Sequence, residues 1–183
     1  MTQIQFLFLF FLRLGQVQSE FFSVKDENLF SELLFRRATI ADLSEILKLL
    51  VEDELGKGRE SLELDPRRVY EAAFEKIDRD PNHNLMVVEY ENEIIGTVHL
   101  TLFPSLTFQG STRLQLEAVR VAKKFQGCGV GTWMFKKIFE YAKKENAPII
   151  QLTTNKKRER AKRFYENLGF EASHEGMKKH VKF

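Results

Sequence analysis

Three glycines at alternate positions make one short segment of this chain a candidate anion-binding site. The segment covers residues 126–131, with the sequence QGCGVG, and joins a run with strand character to a run with helix character. Glycine allows the backbone to approach a ligand closely and to adopt unusual dihedral angles. The first helical turn offers N–H groups without partners inside the helix, and the helix dipole favours negative charge there. The sequence therefore predicts a phosphate cradle at this junction.

A phosphate cradle alone does not identify its ligand. A nucleotide P-loop ends in Gly-Lys-Ser/Thr, whereas Gly131 is followed by Thr132 and Trp133. The dinucleotide fingerprint needs glycine where Thr132 stands, and an acidic residue at a strand end about 20 residues later. Glu145 is near that spacing but lies at a predicted helix end. These departures disfavour both nucleotide classes, and a glycine-rich turn without a ligand remains an alternative.

Hydrophobic periodicity and the positions of glycine and proline predict the strands and helices that must position this loop. Strands are predicted at residues 33–38, 85–90, 94–103, 113–121 and 148–153, helices at 40–50, 66–77, 130–145 and 158–168, and one or two further strands within 170–183. The predicted order is β-α-α-β-β-β-α-β-α-β. A hairpin inside an α/β chain predicts a three-layer α/β domain around a mixed sheet, an α+β arrangement.

A Phe-rich leader precedes the predicted domain. The composition changes near residue 35, so we expect an N-terminal extension of unknown role over 1–34 and one domain over 35–183. The apolar run at 4–14 is shorter than the roughly 20 residues that span a bilayer. A signal peptide would begin with positive charge, which residues 1–5 lack. We predict no membrane span, and an added structural element, a partner-binding segment and export remain open for the leader.

Composition disfavours several other classes of function. The formal net charge of +2 is too small to indicate nucleic acid as the main partner. The single cysteine, Cys128, cannot form an internal disulfide. No two histidines lie three to five residues apart, so the helical His-pair pattern of a metal site is absent from the sequence. We expect a cytoplasmic protein with no metal site and no nucleic acid partner.

The glycine loop and its surroundings together resemble the GNAT superfamily of N-acetyltransferases. Residues 126–131 are similar to that family's Q/R-x-x-G-x-G/A motif, which holds the pyrophosphate of coenzyme A. The strand LEAVRV at 116–121 resembles the family's bulged cofactor strand, and RFYENLGF at 163–170 resembles its second signature, FYxxxGF. The resemblance extends from about Phe35 to Lys179. It implies that acetyl-CoA is a co-substrate and that acetyl passes directly to an amine, in a small molecule or a peptide.

The resemblance also implies roles for individual residues. Tyr165 is implied as the acid that protonates the departing thiolate, and Glu117 as the base that deprotonates the amine, directly or through water. The Val119 N–H is implied as the oxyanion donor. Cofactor binding is implied for Val119, Val121, Gln126, Gly127, Gly129, Val130, Gly131, Thr132 and Asn155.

Each side-chain role has a structural alternative. Tyr165 has the helical spacing of a buried aromatic residue. Glu117 fits a hydrogen-bonded strand residue equally well, and Asn155 fits a loop cap. Cys128 as a covalent nucleophile is disfavoured, because the thioester should lie away from the phosphate loop.

The acceptor and the assembly are not specified by any motif. Acceptor loops are expected near residues 55–64 and 104–111. The acidic residues at 52–54 and 60 would attract a cationic amine, and the alternative is that they are only helix surface. A non-catalytic acyl-CoA-binding or sensing domain is the alternative function. The family resemblance also implies a possible homodimer.

Overall fold

Five strands form one mixed sheet in the computed structural model, which describes residues 29–52, 58, 60–61 and 64–181. Their order along the sheet is the order along the chain, and the strands are β1 (Leu34–Arg37), β2 (His83–Tyr90), β3 (Glu93–Pro104), β4 (Thr112–Val121) and β5 (Ile149–Leu152). The first four strands run antiparallel to their neighbours, and β5 runs parallel to β4. The mixed sheet predicted from the sequence is confirmed.

In the described part of the chain, four helices of nine or more residues accompany the sheet: α1 (Leu43–Glu52), α2 (Leu64–Arg79), α3 (Val130–Lys144) and α4 (Glu159–Asn167). A short helical turn at Thr107–Gly110 lies between β3 and β4. A 3-10 turn at Ile40–Asp42 leads into α1. The Asp42 carboxylate accepts the Thr39 N–H at 2.7 Å and an Arg36 guanidinium N–H at 2.7 Å. The capping pattern read at Thr39 thus fixes where the first helix begins, because it satisfies backbone donors that the helix cannot.

The helices cover the sheet on both faces, so the domain has three layers. On one face Leu100 and Leu116 of the sheet pack with Met134 and Phe135 of α3, and each of these four side chains is at most 1% exposed. On the other face the core contains Val87 of the sheet with apolar side chains of α1 and α2. Truncation of a fully buried Phe such as Phe135 to Ala costs about 3–5 kcal/mol.

The chain beyond α4 differs from the prediction. We expected one or two strands within 170–183, but residues 171–181 form no strand and are exposed. The segment 171–181 is mostly polar and contains Gly176, so it has too few apolar side chains to cover a sheet edge. Residues 182–183 lie outside the described part of the chain.

The start of the described chain packs onto the domain. Residues 29–32 are helical, and Leu29 and Leu33 are buried in the core beneath α3. The leader before Leu29 lies outside the described residues, as does most of the acceptor loop expected at 55–64. In the described part of the chain, no helix is long and apolar enough to cross a membrane.

Candidate functional site

A gap opens between β4 and β5 halfway along β4. The two strands pair only from Arg113 with Ile149 to Leu116 with Leu152. Beyond Leu116, β4 continues to Val121 along β3 alone. The second half of β4 therefore presents one backbone edge that β5 does not cover.

A bulge in β4 accounts for this opening. Ala118 has a φ of 53°, in the left-handed region, and the pairing of β3 with β4 shifts register between Thr97 and His99. A bulge places an extra residue on one strand and bends it, with a local increase in twist. The bulge lies in the strand that resembles the bulged cofactor strand of the GNAT superfamily.

Val119 and Val121 lie on the uncovered edge. The Ala122 N–H donates to Ile95 on β3 at 2.8 Å, so the neighbouring Val121 directs its backbone groups the other way. Side chains already occupy two carbonyls of this edge. An Arg120 guanidinium N–H donates to the Val119 carbonyl at 2.7 Å, and the Gln126 amide donates to the Val121 carbonyl at 3.0 Å. Gln126, predicted as a cofactor ligand, thus ties the glycine loop back to the strand.

The predicted glycine loop leads directly into α3. Gly127 and Gly129 have φ values of 88° and 80°, and Gly129 is the residue that precedes the helix. Within the described residues, no side chain caps this helix and its first turn contains no acidic residue. The backbone N–H groups of Val130, Gly131 and Thr132 therefore belong to an uncapped helix start that suits an anion.

The three glycines of the loop are needed for different reasons. A Cβ on Gly129 would lie 2.9 Å from the Phe30 ring, and a Cβ on Gly131 would lie 3.1 Å from the Phe164 ring. At Gly127 no described atom lies within 4 Å of the Cβ position. Glycine is favoured there because φ is positive, and the space beside it is open to a ligand. Two of the glycines thus admit aromatic rings that support the loop, and the third borders open space. The loop fits a diphosphate because the uncapped helix start lies beside that open space.

Tyr165 belongs to an aromatic cluster on the α3 side of the sheet. Its ring lies 5.8 Å from the Phe135 ring and 5.9 Å from the Phe170 ring, centroid to centroid. Burial raises the pKa of the Tyr165 phenol above its usual value, against the opposing charges of Arg120 and Arg158. The phenol is therefore protonated at neutral pH and can donate a proton.

Glu117 lies on the opposite face of β4 from this cluster. Its strand neighbours Leu114 and Leu116 point into the α3-side core, so Gln115 and Glu117 point to the α1–α2 side. A chain of hydrogen bonds holds the Glu117 carboxylate. Gln151 donates to the Gln115 side chain at 2.8 Å, and Gln115 donates to Glu117 Oε1 at 3.0 Å. Since Tyr165 and Glu117 face different sides, the gap between β4 and β5 is the passage that could link them.

Asn155 and Thr132 differ in what they have available for a ligand. The Asn155 side chain accepts the Lys157 N–H at 2.9 Å, and its carbonyl accepts the Arg158 N–H at 2.8 Å. These bonds form the turn that leads into α4. Asn155 therefore caps this loop, which is the structural alternative to a role in cofactor binding. The Thr132 side chain is exposed at the start of α3, whereas the Val130 side chain is fully buried and offers only its backbone.

A pair of histidines beside Glu117 was not found from the sequence. His83 Nδ1 and His99 Nε2 are 2.9 Å apart, and His99 is the cross-strand partner of Glu117. The two histidines are 16 residues apart, so a search for helical spacing overlooks them. Pairing residues across the predicted hairpin from its turn would have put the two rings on opposite faces, because the register of β2 with β3 shifts by one residue between Val88 and Glu89.

Comparisons with known proteins agree with this geometry. Residues 43–170 match the model of the acetyltransferase (GNAT) family. A crystal structure of a transcriptional regulator from Bacillus halodurans C-125 is 42% identical, with a TM-score of 0.78 over 81% of this chain and 99% of that chain. An uncharacterized N-acetyltransferase from Archaeoglobus fulgidus is 26% identical over 130 residues, which are 71% of this chain and 87% of that protein.

A further solved structure shares the fold. It is a predicted acetyltransferase with acetyl-CoA from Clostridium acetobutylicum, with 19% identity and a TM-score of 0.65 over 81% of this chain and 96% of that chain. The family match covers more than half of this chain and includes the bulged strand, the glycine loop and α4. The chain therefore belongs to the GNAT acetyltransferase family.

Proposed function

We propose that this chain transfers an acetyl group from acetyl-CoA directly to an amine, without a covalent enzyme intermediate. One observation carries the proposal: the uncovered edge of β4 continues, through the glycine loop, into the uncapped start of α3. A strand edge suits the amide groups of a pantetheine arm, and a helix start suits a diphosphate. In coenzyme A the pantetheine arm is followed by the diphosphate. The strand edge and the helix start follow each other along the chain in the same order.

Backbone groups would do most of the binding in this proposal. The N–H groups of Val119 and Val121 would hold the extended arm, and the Val119 N–H would stabilise the oxyanion. Gly127, Gly129, Val130, Gly131 and Thr132 would surround the diphosphate. Holding two reactants in line is worth up to about 7–11 kcal/mol of the barrier, so this rigid edge is the largest expected contribution.

Gln126 and Asn155 act indirectly in this proposal. Gln126 holds the Val121 carbonyl, and so fixes the angle between strand and loop. Asn155 forms the turn that precedes α4, and so sets the position of Tyr165. Mutation of either residue would lower activity indirectly, because it would displace the groups that the residue holds in place.

Two side chains would move protons. Acetyl-CoA supplies an activated thioester, and the reaction releases a thiolate. Tyr165 would protonate this thiolate, since its raised pKa keeps the phenol protonated. Glu117 would take the proton of the amine, because its carboxylate is exposed and oriented by Gln115.

Calorimetry with acetyl-CoA tests the proposal first, with NAD and ATP as controls. Selective binding would support it. Release of free thiol on addition of a polyamine, an amino acid, an aminoglycoside, a lysine peptide or a free peptide N-terminus would then identify the acceptor class. Binding without thiol release for any amine would favour a non-catalytic acyl-CoA-binding domain. A folded sample that binds no acetyl-CoA would overturn the proposal.

A further inference from the structure

His83 and His99 form a hydrogen-bonded pair on the α1–α2 side of the sheet. Besides the 2.9 Å contact between their nitrogens, the two rings lie 5.0 Å apart, centroid to centroid. The Thr101 hydroxyl lies 3.2 Å from the same His83 Nδ1. Burial and the neighbouring His83 lower the pKa of His99 to about 4, so His99 is neutral at pH 7. Such a pair shares one proton between its facing nitrogens.

The pair is not arranged for a metal ion. Two imidazoles that share a tetrahedral zinc at about 2.0–2.1 Å each would hold their nitrogens about 3.3 Å apart, with the ion between them. The observed 2.9 Å is a direct hydrogen-bond distance. Among the described residues, no group of three or more potential ligands could hold a metal.

The outer end of the pair reaches Asp80. His83 Nε2 lies 3.9 Å from Asp80 Oδ2, and the Asp80 side chain is 46% exposed. Asp80 is fixed, because its other carboxylate oxygen accepts the Asn82 N–H at 2.9 Å and its carbonyl accepts the His83 N–H at 3.0 Å. A proton on His83 Nε2 therefore points towards an anchored carboxylate at the surface.

A relay through the pair requires one set of tautomers. With the His83 proton on Nε2, on the side of Asp80, His83 Nδ1 is an acceptor. It then accepts the His99 Nε2–H at 2.9 Å, and the Thr101 hydroxyl lies 3.2 Å from the same nitrogen. His99 Nδ1 is left with a lone pair, on the ring whose residue is the cross-strand partner of Glu117.

The inner end of the pair lies beside the proposed base. Cross-strand partners have Cβ atoms about 4.5–5.5 Å apart, so one water can bridge the two side chains, which form no direct hydrogen bond or ion pair in the described part of the chain. His99 and Glu117 share the α1–α2 face, since His99 pairs with Leu85 of the core on that side. Glu117 is itself exposed in the unliganded protein, so a relay matters once a bound amine and cofactor cover its carboxylate. The groups His99, His83 and Asp80 then run in sequence from beside Glu117 to the surface.

We propose that His99 and His83 relay the proton of the acceptor amine from Glu117 to the surface. The inference rests on the proposed acetyl transfer. The N–H bond of the ammonium breaks and Glu117 takes the proton. A bridging water takes this proton from Glu117 and gives one of its own to His99 Nδ1, as His99 Nε2 passes its proton to His83 Nδ1 and His83 Nε2 releases one to Asp80 or to water. No electrons are exchanged, and rotation of the rings or exchange with solvent restores the starting tautomers.

Two acceptors with different protonation states test the relay. Butylamine is an alkylammonium ion at neutral pH, like a lysine side chain with a pKa of about 10.4, and must lose a proton before attack. Hydroxylamine is already neutral and needs far less help. Thiol release from acetyl-CoA is measured with both amines, for the wild type, His99→Gln and His83→Gln. The rate without protein is subtracted for each amine, because hydroxylamine also cleaves thioesters directly. His174→Gln is the matched control, because His174 is exposed outside the sheet.

For His99→Gln we expect turnover with butylamine to fall by about 10- to 100-fold, within the range of proton-transfer catalysis. Turnover with hydroxylamine should change less than about twofold, and calorimetric binding of acetyl-CoA should not change. Added imidazole should restore part of the butylamine rate in His99→Ala. Equal losses for both amines would indicate a structural role and overturn the relay, as would unchanged rates for both.

An NMR measurement tests the relay without activity. Long-range nitrogen–proton correlation spectra at pH 7 should show the Nε2–H tautomer for both His83 and His99. A His99 that carries its proton on Nδ1 would overturn the relay, whatever the kinetics. By contrast, a folded wild-type protein with the expected tautomers that binds no acetyl-CoA would contradict the proposed function itself.

Discussion

The two sides of the gap between β4 and β5 are built in different ways. The proposed cofactor side consists of backbone groups of a continuous segment, from the bulge at Ala118 to the start of α3. The proposed acceptor side consists of side chains from β2, β3, β4 and β5, joined across the sheet by hydrogen bonds such as Gln151 to Gln115 and His83 to His99. A site built from backbone is specified by local sequence, whereas a site built from side chains depends on strand register.

The largest expected effect is on the cofactor side, for Gly129→Val. A Cβ there would lie 2.9 Å from the Phe30 ring, and the φ of 80° strains any residue with a side chain. We expect acetyl-CoA affinity measured by calorimetry to fall by at least about 100-fold, since a shift of the loop of about 1 Å misplaces its N–H groups. Gly110→Ala is the control, because Gly110 has a φ of 79° with no described atom within 4 Å of its Cβ position. Unchanged affinity in Gly129→Val would show that the loop does not bind the cofactor.

Tyr165→Phe should separate chemistry from binding. Loss of the hydroxyl removes the proton donor but keeps the ring within its aromatic cluster. We expect kcat to fall by about 100-fold, with acetyl-CoA affinity unchanged. Tyr141→Phe is the control, because the Tyr141 hydroxyl accepts a hydrogen bond from Asn84 at 2.9 Å and has no proposed role in catalysis. Equal turnover in Tyr165→Phe would leave Tyr165 as a packing residue.

Glu117→Gln should affect the acceptor side alone. The amide has nearly the same shape but cannot take a proton, so turnover with an alkylamine should fall by about 10- to 100-fold. Acetyl-CoA affinity should be unchanged, because Glu117 points away from the face that carries Tyr165. Glu140→Gln, on the surface of α3, is the matched control. A variant that loses cofactor affinity instead would contradict the division of the site into two sides.

The smallest expected effect is on stability, through His99. Its folded pKa of about 4 lies below the unfolded value of 6.5. The contribution of neutral His99 is therefore fully present above about pH 6.5 and is lost as the pH falls towards about 4. We expect the free energy of unfolding to decrease by on the order of 1–2 kcal/mol over that interval, after allowance for partial exposure.

Urea unfolding of the wild type and of His99→Gln at several pH values in this interval measures the effect. The decrease should be smaller in His99→Gln. Asp42, whose pKa is lowered from 3.8 to about 2 by its hydrogen bond with Arg36, adds a slope only at the lower end of this interval, where the unfolded carboxylate begins to take up protons. That slope is the same in both proteins and cancels in their comparison. Parallel curves for the two proteins would show that His99 is not held neutral by the fold.

Much of the cofactor side could be predicted from sequence, for a physical reason. The positive φ values of Gly127 and Gly129 and the start of α3 at Val130 are local properties that glycine spacing reveals. The final strands expected within 170–183 were a wrong prediction for the described residues 171–181, because pairing depends on an edge elsewhere in the fold. The catalytic functions of Tyr165 and Glu117 stay predictions. The structure shows on which face of the sheet each side chain lies, which residues it contacts and whether it is exposed.

The sequence by itself determined the element order as far as α4, the glycine loop, the cap at Thr39 and the family, because each depends on residues close together in the chain. Only the tertiary structure decided that β4 and β5 separate after Leu116 and Leu152, and that Phe30 packs on Gly129. The same holds for the contact of His83 with His99, which depends on the register of two strands. A register is fixed by the sum of many packing contacts, and no short motif records that sum.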